Sequence, residues 1–242
     1  MSLVLAIKKF LSRYFFSNDW RCLSCGKEIF KDQKFCESCY KELPFNDGPI
    51  CNHCGRKVVA FENYCSTCKE NMLSIDMGRS AFSYQEPISS MIKRLKYGNQ
   101  RYIAEYFSER LAFIYLKNNM DADYITYVPM TKKAERKRGY NQSQILASGL
   151  SKKVNLPVFD GIEKVKETKR QASLTRKERL LNLEKAFSVT DRKSVKGKKF
   201  VIVDDVTTTG ATAETVAKRL KKAGAEKVFL ITVASLPPKD KY

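Results

Sequence analysis

Between Phe200 and Gly224 an unbroken apolar stretch gives way to a helical rhythm. Phe200–Val203 is a four-residue apolar run, too short for a helix and typical of a buried parallel strand. Ala213, Val216, Ala217 and Leu220 then fall at i, i+3, i+4 and i+7, and Gly224 stops the helix that they define. The same two rhythms recur upstream. Ala81–Tyr84 reads as a short strand. Ile88, Met91, Ile92 and Leu95 have helical spacing that ends near Gly98. A second helix over about 101–117 turns Ile103, Phe107, Leu111 and Ile114 inward. Tyr124–Val128 is a strand closed by Pro129, and Ile145, Leu146 and Leu150 share a face of a helix beginning near Asn141. Ala186–Val189 reads as a strand, Val195–Lys198 as a turn, and Lys227–Ala234 as a last buried strand. Strands alternating with helices predict a parallel α/β sheet with helices on both faces.

The polar residues that interrupt this pattern carry the chemistry. Asp204 and Asp205 follow the apolar run at the carboxyl end of a strand. Thr207, Thr208, Thr209, Gly210, Ala211 and Thr212 lead into the next helix. Ligands of open α/β sheets bind at that edge. Backbone N–H groups at a helix N-terminus favour an anion, and the threonine hydroxyls add donors. Gly210 permits a left-handed turn or a close approach by phosphate. Two carboxylates accept hydrogen bonds from a vicinal diol and can hold Mg2+ directly or through water. Together these features ask for a sugar phosphate with free hydroxyls; the plain alternative is a strand–turn–helix with a polar corner.

Two other polar stretches belong to the same half of the chain. Residues 131–138 carry five basic side chains and one acid directly after a strand, which predicts an anion-binding loop. A solvated basic loop has the same composition. Residues 163–182 are polar, basic and short of packing anchors, as in a lid over a ligand or a segment that orders on nucleic acid.

Charge sharpens this picture. The 242-residue chain carries a formal net charge of +19, with an isoelectric point near 9.6. The first 71 residues hold 11 Lys/Arg against 8 Asp/Glu, and the remaining 171 hold 34 against 18, so the excess lies in the large C-terminal part. Nucleic acid is the first partner this suggests; an acidic membrane surface or a polyphosphate comes second. No stretch approaches the roughly 20 apolar residues of a membrane span. Residues 3–7 are too short for the apolar core of a signal peptide, so a cytoplasmic location is expected. Leu3, Ile7, Phe10, Leu11, Tyr14 and Phe15 outline a short amphipathic helix within residues 1–20. It would pack on the protein or, as a minority alternative, dock on a partner or on the inner face of the membrane.

All eight cysteines lie between residues 22 and 68, in four C-x-x-C pairs: Cys22/Cys25, Cys36/Cys39, Cys51/Cys54 and Cys65/Cys68. Each cysteine of the first two pairs recurs 29 residues later, which marks two copies of one knuckle within residues 21–71. Two C-x-x-C turns complete a tetrahedral four-thiolate zinc site, and metal would drive the folding of units too small for a core. Two Zn2+ sites are expected, with pairing inside each copy; a cross-braced pairing stays open, and disulfides are disfavoured without an export signal. His53 lies between two cysteines and is a bystander where four thiolates suffice. Pro44–Pro49 reads as a turn-rich hinge between the knuckles.

The segment at 200–212 resembles the phosphoribosyl diphosphate (PRPP) motif of the type I phosphoribosyltransferases. By that resemblance Asp204 and Asp205 grip the ribose hydroxyls, and Thr208–Thr212 cradle the 5′-phosphate. Purine-salvage members carry an aspartate where this chain has Thr208. A threonine does no general acid–base work near neutral pH, which argues against purine salvage. The segments VPMTKKAERKRGYNQSQILA and RQASLTRKERLLNLEKAF, behind a cysteine-rich head, are similar to the competence protein F (ComF, ComFC) family over nearly the whole chain. That resemblance implies a type I phosphoribosyltransferase sheet over 72–242, with a flap near 163–182, behind a double zinc module. It makes Thr131, Lys132 and Lys133 the diphosphate loop. Arg138, Gly139, Asn141 and Gln142 become a signature beside that loop, and Gln171, Arg179 and Asn182 belong to the flap. It further implies Mg2+ with PRPP, handling of single-stranded DNA during natural transformation, and a DNA-translocating competence ATPase of the ComFA type as partner. Many members have one four-cysteine site, whereas this chain has two. An active transferase with an unidentified acceptor, using Asp204, Asp205, Lys132 and Lys133, and a zinc scaffold with a relic transferase domain are the alternatives.

Overall fold

The computed structural model of the chain describes residues 20–30, 33–59, 62–69, 74–166 and 186–236. The helix expected within 1–20 and the flap residues Gln171, Arg179 and Asn182 lie outside them. The chain divides into two compact units, Met1–Leu43 and Pro44–Tyr242.

In the smaller unit the first knuckle is a tight turn followed by helix α1 (Glu37–Lys41). Cys22 N–H donates to Lys27 O at 2.8 Å and Gly26 N–H to Cys22 O at 2.9 Å. The larger unit repeats this turn 29 residues on. There Cys51 N–H donates to Arg56 O at 2.8 Å and Gly55 N–H to Cys51 O at 2.9 Å, and helix α2 (Ser66–Lys69) carries Cys68. Gly26 and Gly55 both take φ near +70°, at 74° and 71°, the left-handed conformation that the turn demands.

The rest of the larger unit is the sheet and its helices. In chain order they are β1 (Met77–Ser83), α3 (Ile88–Tyr97), α4 (Ile103–Lys117), β2 (Tyr124–Tyr127), α5 (Lys132–Arg138), α6 (Gln142–Val154), β3 (Ile162–Lys164), β4 (Phe187–Val189), β5 (Lys199–Thr207), α7 (Ala211–Lys222) and β6 (Lys227–Ser235). Four strands form a parallel sheet in the order β1-β6-β5-β2, while β3 and β4 pair antiparallel beside it. The core of one face joins Phe200, Ile202, Val216, Ala217, Leu220, Val228 and Leu230, all fully buried. Helices α4 and α6 pack against each other and cover sheet strands. Burying side chains of this size contributes about 1.5–3 kcal/mol each.

Two expectations change here. Residues 131–138, read as a loop, are mostly helix: Thr131 caps α5 by accepting from Ala134 N–H at 3.3 Å, and Gly139, at φ 86°, ends it. The presumed hinge at 44–49 pairs with β1 instead. Asn46 N–H donates to Ala81 O at 3.0 Å, and Ser83 N–H to Pro44 O at 2.8 Å.

Candidate functional site

The topology opens a crevice between β2 and β5. From β2 the chain leaves through α6 and returns on the outer side of β2, where Val158 bridges Ile125 in parallel. From β5 it leaves the other way, through α7 to β6. Strand order therefore reverses between β2 and β5, and ligands of such sheets bind at the carboxyl ends of strands around that point. The register widens the opening. Tyr127, the last residue of β2, pairs with Val203, so Asp204 and Asp205 run past the end of their neighbour on that side.

The two acids have different surroundings. Asp204 is partly exposed; its Oδ1 accepts from Ser143 Oγ at 2.8 Å and from Asp205 N–H at 2.9 Å. Burial of its carboxylate, and then the neighbouring charge of Asp205, raise its pKa to about 7. Asp205 is buried and forms a 2.7 Å ion pair with Lys96 Nζ, from the last turn of α3. Burial alone would lower the Lys96 pKa, but the attraction of Asp205 outweighs it and the net shift is upward. Ser143 stands in the first turn of α6 and Lys96 in the last turn of α3, so the adjacent acids meet different helices.

The loop after the acids sorts its hydroxyls. Thr207, grouped by sequence with the phosphate cradle, is buried and its Oγ1 lies 3.4 Å from Thr232 Oγ1. Its hydroxyl faces the neighbouring strand β6. Thr208 and Thr209 are exposed, and Gly210 takes φ 77° as the residue before α7. No side chain caps α7, although Thr209 Oγ1 accepts from Ala211 N–H at 3.4 Å. The first turn of α7, with Ala211 and Thr212 half-buried, thus leaves donors for an anion.

The RGYNQ segment joins the acids to β2. Asn141 caps α6 through Ser143 N–H at 3.0 Å and donates from Nδ2 to Val128 O at 3.1 Å. Ser143, so fixed, donates to Asp204. Arg138 hydrogen-bonds Gln142 and lies 5.1 Å from the centre of the exposed Tyr97 ring. Gly139 supplies the turn, and Tyr140 donates to Leu95 O beneath the Arg101 guanidinium. Gly139, Asn141 and Gln142 thus tie the start of α6 to the end of β2 and to α5.

Thr131, Lys132 and Lys133 follow β2 at the same sheet edge. With Tyr127, Asp160 and Lys164 they line a cleft of about 620 Å³. Lys132 and Lys133 are exposed. Sequence reasoning missed Lys96 and Ser143. Lys96 follows the apolar face of α3 as one more surface cation, and nothing in its spacing separates it from Lys93.

The cysteines gather as two tetrads, Cys22/Cys25/Cys36/Cys39 and Cys51/Cys54/Cys65/Cys68, with all sulfurs of a tetrad within 4.8 Å of one another. Cys25 and Cys36 Sγ are 3.8 Å apart, and Cys54 and Cys65 Sγ 3.7 Å. A tetrahedral ion with bonds of about 2.3 Å spaces its sulfurs by about 3.8 Å, so the donor set and spacing fit zinc. In the second tetrad hydrogen bonds between thiols pull Cys51 down and push Cys54 and Cys68 up in pKa: without a cation the four cannot all ionise. His53 stands outside, its Nδ1 3.1 Å from Ile75 O.

Comparison with known proteins agrees with this architecture. Residues 12–69 match the double zinc ribbon domain, and residues 137–241 match the phosphoribosyl transferase domain. Over 219 residues the chain is 31% identical to competence protein F of Haemophilus influenzae, covering 87% of this chain and 94% of that protein. The chain belongs to the competence protein F family. Within the family it is also 29% identical to competence protein ComFC of Bacillus subtilis, with 86% of each chain covered. The DNA utilization protein YhgH of Escherichia coli is 32% identical over 151 residues, which cover 60% of this chain and 66% of that one. This chain thus joins a double zinc ribbon to a phosphoribosyl transferase domain, and the proteins that it is similar to are named for competence and DNA utilization. Among the described residues no helix is long and apolar enough to cross a membrane.

Proposed function

We propose that the crevice binds PRPP with Mg2+ and that the chain handles single-stranded DNA on the cytoplasmic side during natural transformation, alongside a DNA-translocating ATPase of the ComFA type. One observation carries the ligand: an acid pair at the end of β5 runs into the uncapped first turn of α7 at the switch point of the sheet. Asp204, whose Oδ2 has no hydrogen bond among the described residues, accepts from the ribose diol; Asp205 stays bound to Lys96. Thr208, Thr209 and the N–H groups that open α7 take the 5′-phosphate. Thr131, Lys132 and Lys133 take the diphosphate from the β2 side. Asp204, the partly exposed carboxylate of the pair, is the group that would hold Mg2+ directly or through water, and the ion when bound would neutralise phosphate charge. The excess of basic residues after position 71 supports a polynucleotide partner.

Calorimetry with PRPP and Mg2+ tests the ligand, and mobility shift of single-stranded DNA at low salt tests the partner. Binding of both is expected, with DNA affinity falling steeply as salt rises. Absence of both would sink the assignment. The 620 Å³ cleft beside Lys133 favours a second activity, transfer of the phosphoribosyl group to an unidentified acceptor. The C1′–oxygen bond to diphosphate would break, the diphosphate leaving with the electron pair, as an acceptor atom bonds C1′. Diphosphate release from PRPP with candidate acceptors, nucleic acid among them, measures it.

A further inference from the structure

The second knuckle does more than hold four sulfurs. Its turn lies against β1 at backbone distance: Gly55 bridges Arg79 in parallel, and Gly78 N–H donates to Asn52 O at 3.2 Å. A Cβ on Gly55 would stand 2.5 Å from Arg79 Cα, and one on Gly78 would stand 2.2 Å from His53 O. Only glycine fits at either place. Asn46 Nδ2 closes the contact, donating to Gly55 O at 2.9 Å and to Ser235 Oγ at 3.3 Å.

This contact delivers Arg56 to the phosphate loop. Arg56 follows Gly55 directly and is only 6% exposed, yet its guanidinium reaches 152 residues along the chain and donates to the carbonyl of Thr208. Its Nε is buried with no hydrogen-bond partner among the described residues. A trans peptide points its C=O and N–H in opposite directions. Holding the Thr208 carbonyl toward the knuckle therefore turns the Thr209 N–H away from it. The same bond draws off a carbonyl dipole that would repel phosphate and leaves a full positive charge against the loop.

We infer that Arg56 is a positioning residue for the anion-binding loop, held in place by the second four-cysteine knuckle, so that this knuckle is part of the ligand site. The inference rests on the PRPP assignment above, because it concerns the loop given there to the 5′-phosphate. The test uses the full chain loaded with zinc and calorimetry with two probes, ribose 5-phosphate and inorganic diphosphate. Arg56→Gln is expected to weaken ribose 5-phosphate binding about tenfold or more, to leave diphosphate binding within about twofold, and to retain its zinc. Arg56→Lys restores part of the loss because it keeps a charged donor. Gly55→Ala, which forces the knuckle off β1 without touching a cysteine, gives the same selective loss. If the parent chain does not bind ribose 5-phosphate, the PRPP assignment falls and this inference with it. If the parent binds and Arg56→Gln binds equally well, the inference alone is overturned. It is also overturned if Arg56→Gln loses both probes together, which would mark general destabilisation.

Discussion

Asp204 and Asp205 are adjacent in the chain and do opposite work. The fold raises the Asp204 pKa from 3.8 to about 7, first by burial and then by the charge of Asp205. The fold therefore disfavours its ionised form. This cost is absent below the ordinary value, grows between the two values, and is complete above about pH 7. Asp204→Asn keeps an oxygen for Ser143 and removes the charge. It should raise the melting temperature of the free protein above pH 7, by about 2–4 °C per kcal/mol, and change little at pH 4. In the parent chain, PRPP affinity should rise between pH 6 and 8 as Asp204 ionises; a flat profile by calorimetry would remove Asp204 from the ribose site. Asp205 instead depends on its cation. Lys96→Met strands a buried carboxylate and should cost about 3–5 kcal/mol in urea denaturation. Adding Asp205→Leu should recover most of that loss, because a fully apolar pair leaves no unpaired charge. An unrecovered double variant would show that Lys96 contributes by packing.

At the scale of elements, much of the sheet was legible. Helical spacing at 88–95 and 103–114 and the apolar runs at 124–128, 200–203 and 227–234 lie in elements of the expected kind. These signals are strong because burial on one helix face, or on both strand faces, imposes a period on the sequence. The helix at 132–138 was hidden because it buries none of its residues, leaving no apolar period to read. The division of labour among the threonines was hidden for a related reason. TTTGAT shows which hydroxyls are present, whereas the pleat and the register with Thr232 decide that Thr207 turns inward. The contact of α4 with α6 is a further element-level feature that pattern alone does not reveal. A Cβ at Gly149 would meet Ser108 Oγ at 2.2 Å. Gly149→Ala should therefore destabilise by about 1–3 kcal/mol, and Ser108→Gly in the same chain should return part of that by opening the space. Equal denaturation midpoints for Gly149→Ala and the parent would refute this close crossing.

For the whole molecule, sequence gave the zinc-rich head and the sugar-phosphate half as separate readings, each with its own spacing rule. What no spacing rule could show was that the second knuckle lies in the larger unit, its backbone against β1. That contact depends on two glycines and an asparagine spread over 33 positions, none of which forms a motif. The charge excess was legible from counting alone. The role of the crevice is testable at the same scale: a strain carrying Asp204→Ala, which leaves the Lys96–Asp205 pair intact, should lose natural transformation while keeping normal protein levels and zinc content. Undiminished transformation would mean that the knuckles act without the crevice.

The 29-residue repeat has one more consequence, in the kinetics of metal exchange. The two tetrads use the same ligands in the same order, but Cys25 of the first is exposed and Cys36 half-buried, whereas all four cysteines of the second are buried. A chelator must reach a sulfur or the ion to compete for it, and an oxidant must reach a thiolate. Zinc release to a coloured chelator should therefore be biphasic with equal amplitudes, the fast phase disappearing in a Cys25→Ser/Cys36→Ser variant. A single phase of double amplitude would show that the two sites are equally accessible. With two phases, a brief oxidative or metal-starved episode would empty the first site while the buried tetrad kept its ion.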